Sequence, residues 1–344
     1  MEVGPDGSHG QGGAIFFGLL LALAIVVSGC APKWAPPAFN LNDIAPLNDV
    51  PGSEEDLYTQ GLLARKDGDA TSAIARFSTL ERQGSTNPHV LYQLAIAFEV
   101  AEDFETAAAI YIEVKNRRLN PNLSKDASFR LALCLWELGE NRAAYHAIQS
   151  IPDNTAFSLQ DRYTYDLALG TAWIRIGRTS KGVHRVLEAL VSAEGSHETH
   201  WMRSLALFTL MELELDKANT QDFKVREKKQ KTRLSSRVSH IHTAEDFLRR
   251  IMALNEVDWM LAGWLALGNA YLNFAEDLAD APPPRKLNEG QKQAYSDLAK
   301  EQADVLRLKA AKAYEWGIEV ATRSARQDHR NARLLVSQLK KVFP

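Results

Sequence analysis

The sequence predicts an all-α protein, a right-handed superhelical solenoid of helical hairpins whose pattern diverges in the C-terminal half. Beyond Glu54, segments rich in Ala, Leu and Glu follow one another, and Gly, Asn or Pro break them at short intervals. No segment shows the alternation of apolar and polar residues that is typical of strands. A pattern of small and large residues recurs at intervals of 34, 37 and 38 residues. Helical repeats of this length stack on their neighbours to form a continuous core.

The composition favours a folded chain and excludes some classes of partner. Of the 344 residues, 45% are hydrophobic and 24% are charged, which is the balance of ordinary globular proteins. The formal net charge of -3 does not indicate a nucleic-acid partner, because such proteins usually carry a strongly basic surface.

The first element, residues 1–29, is predicted to be a signal peptide. The run from Ala14 to Val27 is uninterrupted and apolar, but it is too short to cross a hydrocarbon core of about 30 Å comfortably. The tetrapeptide Val27-Ser28-Gly29-Cys30 that ends it resembles the lipobox of bacterial lipoproteins, which implies that Cys30 receives diacylglycerol. Met1–Gly13 contains no Lys or Arg, unlike a usual signal peptide. Either the start is misassigned or this region is atypical.

The second element, residues 30–53, is predicted to be a lipidated tether. It contains five of the thirteen prolines, which favours an extended chain. The multiple acyl chains of a lipoprotein give stable membrane attachment, whereas a single chain gives only marginal binding. Ala31 follows the cysteine in place of aspartate. By the sorting rule of bacteria with two membranes, this implies the outer membrane, facing the periplasm.

The third element, residues 54–196, is predicted to contain four helical hairpins that begin at Glu54, Pro88, Lys125 and Tyr163. A small residue in the first helix of each hairpin permits close packing, a small residue in the second helix lies at the crossing point, and a large apolar residue follows it. The three sets are Gly61, Ala95, Ala132 and Gly170; Ala73, Ala107, Ala144 and Gly182; and Phe77, Tyr111, Ile148 and Val186. This pattern resembles the tetratricopeptide repeat family. Pro121 is expected to end the second hairpin, and Gly139 to turn the chain within the third.

The fourth element, residues 197–344, is predicted to be a divergent helical region. Trp201–Leu215 and His242–Leu254 are expected to form a divergent helix pair, with a basic insert at 219–236 between them. The run Lys224–Arg233 places six basic residues in ten within this insert. A solvated loop or helix end is the expected structure, and docking to anionic lipid headgroups is the alternative.

A later repeat is predicted from Trp264 onward. The segment Trp264–Tyr271 reproduces the W-x2-L-G-x2-Y pattern of the family. Its second helix is expected near Ala310, so a Pro-rich insert at about 277–308 is predicted between the two helices.

The resemblance to the family implies a concave protein-binding groove lined by the first helix of each hairpin. Aromatic and arginine side chains, which are enriched at binding hot spots, occur among the corresponding positions. The alternative is that some of these rings fill the space between adjacent helices and do not face a partner. The implied groove residues are Tyr58, Leu62, Arg65 and Lys66; Tyr92, Ile96 and Glu99; Phe129, Leu133 and Trp136; and Leu167, Thr171 and Arg175.

No catalytic or metal site is predicted, and no cofactor is expected. Gly177–Gly182 lacks the Gly-Lys-Ser/Thr ending of a phosphate-binding loop and is predicted to be a hairpin turn. The histidines of His197–His200 are three apart and lack a third ligand, whereas the zinc protease motif needs a spacing of four. Ser337–Lys340 has no companion motif of an acylating serine enzyme. Cys134, between two leucines, is predicted to be a buried structural thiol.

The expected function is that of a lipid-anchored, non-enzymatic scaffold in the assembly of a cell-envelope complex. Its expected partners are envelope proteins or peptide segments and, through the lipid on Cys30, the membrane; no nucleic acid and no small-molecule substrate are expected. One alternative is an accessory factor of gliding motility, of type IV pilus or secretin assembly, or of outer-membrane protein assembly. Residues 310–344 faintly resemble tetratricopeptide lipoproteins of gliding machinery. The other alternative is a scaffold for enzymes of cell-wall or exopolysaccharide synthesis.

Overall fold

The computed structural model describes Leu41 and residues 49–118, 120–151, 158–223 and 227–342. These residues form thirteen α-helices and no strand, which confirms the predicted all-α class. None of these helices combines the length and the apolar character needed to cross a membrane. Cys30, the predicted signal peptide and most of the predicted tether lie outside the described residues. The helices are α1 (Glu54–Lys66), α2 (Ala70–Arg82), α3 (His89–Val100), α4 (Phe104–Arg117), α5 (Pro121–Glu137), α6 (Asn141–Gln149), α7 (Leu159–Arg175), α8 (Thr179–Ser192), α9 (His200–Asn219), α10 (Glu227–Leu254), α11 (Val257–Ala279), α12 (Glu289–Arg323) and α13 (Arg330–Val342).

Local sequence signals set many of the helix starts. Ser53, Asp69 and Asp103 accept hydrogen bonds from the backbone N–H groups of the first turns of α1, α2 and α4. Such caps satisfy backbone donors that have no partner within the helix. Ser158 and Asn288 form reciprocal capping boxes at the starts of α7 and α12. Short polar connections therefore separate the helices where the sequence breaks its apolar pattern.

The turn residues confirm one predicted position and correct another. Gly139 has a φ of 77° between α5 and α6, a left-handed conformation that glycine adopts at little cost. Pro121 does not end the second hairpin, because α4 already ends at Arg117 and Arg118 adopts the left-handed conformation. Pro121 instead begins α5, where its missing N–H costs no helical hydrogen bond.

The helices pack mainly on their neighbours in the sequence. From α1 to α8, each helix contacts the next one, and α1 and α5 both contact α3. Further along, α9 contacts α7, α10 and α11, and α11 contacts α12 and α13. The first helices therefore touch one another from α1 to α5 and from α7 to α11, in addition to the contact within each hairpin.

The predicted close approaches within hairpins are confirmed in the first and fourth hairpins. A Cβ atom added to Gly61 would lie 2.7 Å from Cζ of Phe77. One added to Gly170 would lie 2.7 Å from Cγ2 of Val186. The absence of a side chain is thus what lets the ring of Phe77 and the branched side chain of Val186 approach the facing helix.

The C-terminal region differs from the predicted pattern in two helices. α10 begins at Glu227, well before the predicted His242, and its first turns contain seven of the ten residues of the basic run. This part of the run is therefore a helix end, which is one of the two expected structures. The predicted insert at about 277–308 is also mostly helical. α11 extends to Ala279, and α12 runs without interruption from Glu289 to Arg323, so the second helix does not begin near Ala310. Gly268 packs against the ring of Tyr314 across these two helices, which repeats the glycine-to-large-residue contact of the first hairpin.

The last helix, α13, lies beside the first half of the chain as well as beside α11 and α12. Leu335 is fully buried and packs onto Gly317 of α12. On the exposed side, Arg330 pairs with Glu137 at 3.2 Å, and Arg333 pairs with Glu102 at 3.4 Å. These partners are 193 and 231 positions apart in the chain. The helices are therefore arranged so that the C-terminal end returns to the ends of α3 and α5.

Candidate protein-binding groove

The thirteen predicted groove residues lie on α1, α3, α5 and α7, but they do not share one environment. Leu167 and Thr171 are fully buried, so they are interior residues and present no surface to a partner. Their burial follows from their position on α7, which packs against both α8 and α9. Ile96, Phe129 and Trp136 are also buried. The residues that keep accessible surface are Tyr58, Leu62, Arg65, Lys66, Tyr92, Glu99, Leu133 and Arg175.

Tyr92 and Glu99 belong to a polar network between α3, α4 and α5. Arg130 donates hydrogen bonds from Nη1 to a carboxylate oxygen of Glu99 at 2.8 Å and from Nε to the hydroxyl of Tyr92 at 3.2 Å. The hydroxyl of Tyr111, which is fully buried, donates to the other oxygen of Glu99. Burial raises the pKa of Glu99, and the charge of Arg130 opposes this shift. The network therefore satisfies a partly buried charge and fixes the relative positions of three helices.

Trp136 and Arg175 form a second contact between predicted residues. The guanidinium carbon of Arg175 lies 5.4 Å from the ring centroid of Trp136, within the range of a cation–π interaction. Arg175 also donates from Nη2 to a carboxylate oxygen of Glu212 at 3.1 Å. Within this contact, Nε1 of Trp136 and Nε of Arg175 are buried without a hydrogen-bond partner. Arg175 of α7 therefore contacts both α5, through Trp136, and α9, through Glu212.

Arg175 and Glu212, which take part in these contacts, line a cavity of about 430 Å³ between α7, α9 and α11. Its polar lining includes Arg175 from α7, Glu212 and Asp216 from α9, and Asn269 and Asn273 from α11. Asn269 accepts a hydrogen bond from the hydroxyl of Tyr314 at 2.9 Å. The side chains of Asp216 and Asn273 are exposed. Among the predicted groove residues, Arg175 is the one that lines this cavity.

The lining of the cavity includes both asparagine amides and the carboxylates of Glu212 and Asp216. Burial raises the pKa of Glu212; Arg175 opposes this shift, while the negative charges of Asp216 and Glu137 add to it. A cation placed beside Glu212 and Asp216 would relieve this repulsion. An asparagine amide offers both donors and an acceptor, so Asn269 and Asn273 suit a ligand that carries N–H and C=O groups, such as a peptide backbone.

Sequence reasoning missed the residues on α9 and α11 for different reasons. The family numbering that places Gly61 and Gly170 also places Gly268 in the segment Trp264–Tyr271. Continuing it by one and five positions reaches Asn269 and Asn273, so the signal was present. The sequence of α9 shows no such register, and Glu212 and Asp216 were found only from their position beside Arg175.

The structure also shows where the remaining motifs noted in the sequence lie. Gly177 is the left-handed turn residue between α7 and α8, which confirms that Gly177–Gly182 is a hairpin turn and helix start. The rings of His197 and His200 lie 4.8 Å apart. In the described part of the chain, no three His, Cys, Asp or Glu side chains converge as a metal site would require. Cys134 is buried, as predicted, and burial raises the pKa of its thiol.

The sequence was also compared with known proteins. It matches no protein-family model and no curated protein. The function of the chain must therefore be argued from its own residues.

Proposed function

We propose that this protein is a lipid-anchored scaffold of the tetratricopeptide type, which holds a segment of an envelope protein in the groove between α7, α9 and α11. The observation that carries the proposal is the 430 Å³ cavity, whose polar side chains come from three successive first helices and from Asn141 at the start of α6. Ligand sites combine a concave shape with a few polar groups that fix orientation. A groove built from first helices is the surface that the resemblance to the family implies.

Two features support the assignment to a solenoid of this type. Glycines face large residues in the first, fourth and last hairpins, at the positions where the family pattern requires small residues. The ion pairs of α13 with Glu102 and Glu137 fit a right-handed superhelix whose curvature brings distant repeats together. Curvature of this kind creates the extended concave surfaces by which repeat proteins bind partners.

The chemistry of the groove indicates a partner segment with an accessible backbone and a basic side chain. The amides of Asn269 and Asn273 pair with backbone N–H and C=O groups, while Glu212 and Asp216 receive the positive charge. Arg175 and the ring of Trp136 form the end of the groove toward the first half of the chain. The role is binding, so no catalytic group is assigned.

The location of the scaffold rests on Cys30. The lipobox resemblance supports acylation of this residue, residues 31–53 then act as the tether, and Ala31 supports retention in the outer membrane. The Cys30→Ala variant is expected to leave the membrane fraction, measured by fractionation of cells and immunoblotting. If the variant stays in the membrane fraction to the same extent as the wild type, lipid anchoring through Cys30 is wrong.

The groove is best tested with variants that leave the core intact. Tyr92 and Trp136 are unsuitable, because the first hydrogen-bonds within the Glu99 network and the second is buried. Asp216 and Asn273 line the cavity but are exposed, so their replacement by alanine removes ligand contacts at little cost in stability.

The experiment is crosslinking in intact envelopes followed by affinity capture and mass spectrometry. The double variant Asp216→Ala, Asn273→Ala is expected to lose the principal partners that the wild type captures. The matched control is Asp67→Ala, Asn116→Ala, which changes an exposed aspartate and an exposed asparagine outside the cavity. Equal recovery of every partner by the groove variant and the control would refute binding in this groove.

A further inference from the structure

A second, smaller cavity lies on the opposite side of α9 from the groove. It has a volume of about 240 Å³ and is formed where the C-terminal ends of α8 and α10 meet the first half of α9. It shares no lining residue with the groove cavity. Arg203 and Leu207 of α9 line this cavity, whereas Glu212 and Asp216 of α9 line the groove cavity. The two pairs lie on opposite faces of α9, about 180° apart around the helix axis.

The polar part of this cavity is positively charged. Arg203 and Arg250 both line it, and Glu194 is the acidic residue that lines it with them. Nε of Arg203 is buried and has no hydrogen-bond partner. Burial lowers the pKa of Arg203, the charge of Glu194 opposes this shift, and that of Arg250 adds to it. The two guanidinium groups thus repel each other, and one of them retains an unused buried donor.

The other part of the cavity is aliphatic. Leu190, Leu207 and Leu254 line it and are buried, whereas Val191 at its edge is 73% exposed. An apolar cavity of about 150 Å³ is already large enough for a molecule the size of benzene. The leucines form the bottom of the cavity, and the exposed side chains of Val191 and Ala253 give a short alkyl group apolar surface beside the two arginines.

We propose that this cavity binds an aliphatic carboxylate, with the carboxylate on Arg203 and Arg250 and the alkyl group against Val191, Ala253 and the accessible edges of the lining leucines. Arginine binds carboxylates through parallel charge-assisted hydrogen bonds, and the negative charge of the ligand relieves the repulsion between the guanidinium groups. Two sources share this chemistry: the free carboxyl end of a polypeptide whose last residue is aliphatic, and a short fatty acid. The site is separate from the groove and does not depend on the proposed scaffold function.

The test uses the purified full-length protein and isothermal titration calorimetry with four probes. N-acetyl-leucine represents the carboxyl end of a polypeptide, and hexanoate represents a fatty acid. N-acetyl-leucinamide and hexanamide are the matched neutral compounds. At least one carboxylate is expected to bind about tenfold or more tightly than its amide, since hydrogen bonds to charged groups are the stronger ones. The tighter of the two carboxylates identifies the source. If neither carboxylate binds, or if each amide binds as tightly as its acid, the proposal is wrong.

Three arginine variants locate the site. Arg250→Gln and Arg203→Gln are expected to weaken binding of the carboxylate about tenfold or more. Arg249→Gln is the matched control, because Arg249 is the neighbouring residue of α10, pairs with Asp246 and does not line the cavity. Arg250 is exposed, so Arg250→Gln is expected to fold normally even if Arg203→Gln does not; circular dichroism checks this. Unchanged affinity in a folded Arg250→Gln protein would overturn the assignment.

Discussion

The crossing of α7 and α8 makes a sharp prediction about one glycine. A Cβ atom added to Gly182 would lie 2.6 Å from the carbonyl oxygen of Gly170 and 2.8 Å from the backbone nitrogen of Ile174. These are backbone atoms of a packed helix, so they cannot rotate away as a side chain would. Gly182→Ala is therefore expected to force the two helices apart.

The magnitude follows from two opposing effects. Replacing a helical glycine by alanine stabilises a helix by roughly 0.5–1 kcal/mol. Overpacking of a close contact costs about 1–3 kcal/mol, and a contact with backbone lies at the upper end because no rotamer relieves it. The net result for Gly182→Ala is a loss of about 2 kcal/mol in the free energy of unfolding.

Gly290→Ala is the matched control. Gly290 lies in the first turn of α12, and an added Cβ atom would meet only Oδ1 of Asn288 at 3.6 Å. This variant is expected to be as stable as the wild type or more stable by up to about 1 kcal/mol. The assay is urea unfolding followed by circular dichroism, with the wild type and both variants measured together.

Hydrogen exchange shows which helices lose stability in the Gly182→Ala variant. In a chain whose helices pack mainly on their neighbours, loss of one contact weakens the adjacent elements most. Amides of α7 and α8 are expected to exchange faster in Gly182→Ala, while those of α12 keep their protection. If Gly182→Ala matches Gly290→Ala in stability and exchange, the reasoning about this crossing is refuted.

Three further predictions concern buried polar groups. Arg237 is fully buried between the rings of Phe223 and Phe274 and bonds Asp277, which is 52% exposed; Arg237→Ala is expected to cost about 3–5 kcal/mol in urea unfolding. Arg237→Met, which keeps the volume and leaves Asp277 in water, should cost much less, and equal losses would contradict this. Burial raises the pKa of every tyrosine with a resolved shift, that of Tyr314 to about 12, so above pH 10 the unfolded chain loses phenolic protons that the folded chain retains. The free energy of unfolding should therefore fall as pH rises from 10 toward 12. Of the nine tyrosines, the five with a raised pKa should form tyrosinate together with unfolding; tyrosinate absorbance from more than four tyrosines in a fully folded protein would contradict this. Finally, the thiol of Cys134 in a Cys30→Ala protein should react with a thiol reagent only after denaturant is added, because burial raises its pKa; rapid reaction of the native protein would refute this. The tyrosines with a raised pKa are Tyr58, Tyr92, Tyr111, Tyr271 and Tyr314.

The sequence predicted the helices well where a local signal marks them. Turn glycines such as Gly139 act within a few residues, so their effect is visible in the sequence. The cap of Ser53 is equally local, although it was not predicted. The pairs Gly61 with Phe77 and Gly170 with Val186 were predictable for a related reason: the two helices of a hairpin are joined by a short turn, and sequence spacing then determines which residues meet.

The course of the chain after α9 was less predictable. Three consecutive prolines at 282–284 suggested a long insert, but they occupy only the connection before α12. The N-terminal part of α12 is stabilised by the capping box of Asn288 and by burial of Ala299 and Ala303. The burial of these alanines depends on the neighbouring helix, which composition alone does not specify, whereas the capping box is a local signal that the sequence analysis missed.

The sequence by itself determined the helical class, the hairpin pairing of the first eight helices and the expectation of a lipid on Cys30, because each depends on residues close together in the chain. Only the tertiary structure decided which predicted groove residues are accessible. Leu167 and Thr171 were excluded because α7 is covered by both α8 and α9, whereas Asn273 remains exposed in the cavity. The proximity of Arg203 to Arg250 is likewise visible only in the tertiary structure. Accessibility and the meeting of distant side chains depend on the packing of helices far apart in the chain, and that packing has no signature in a local pattern.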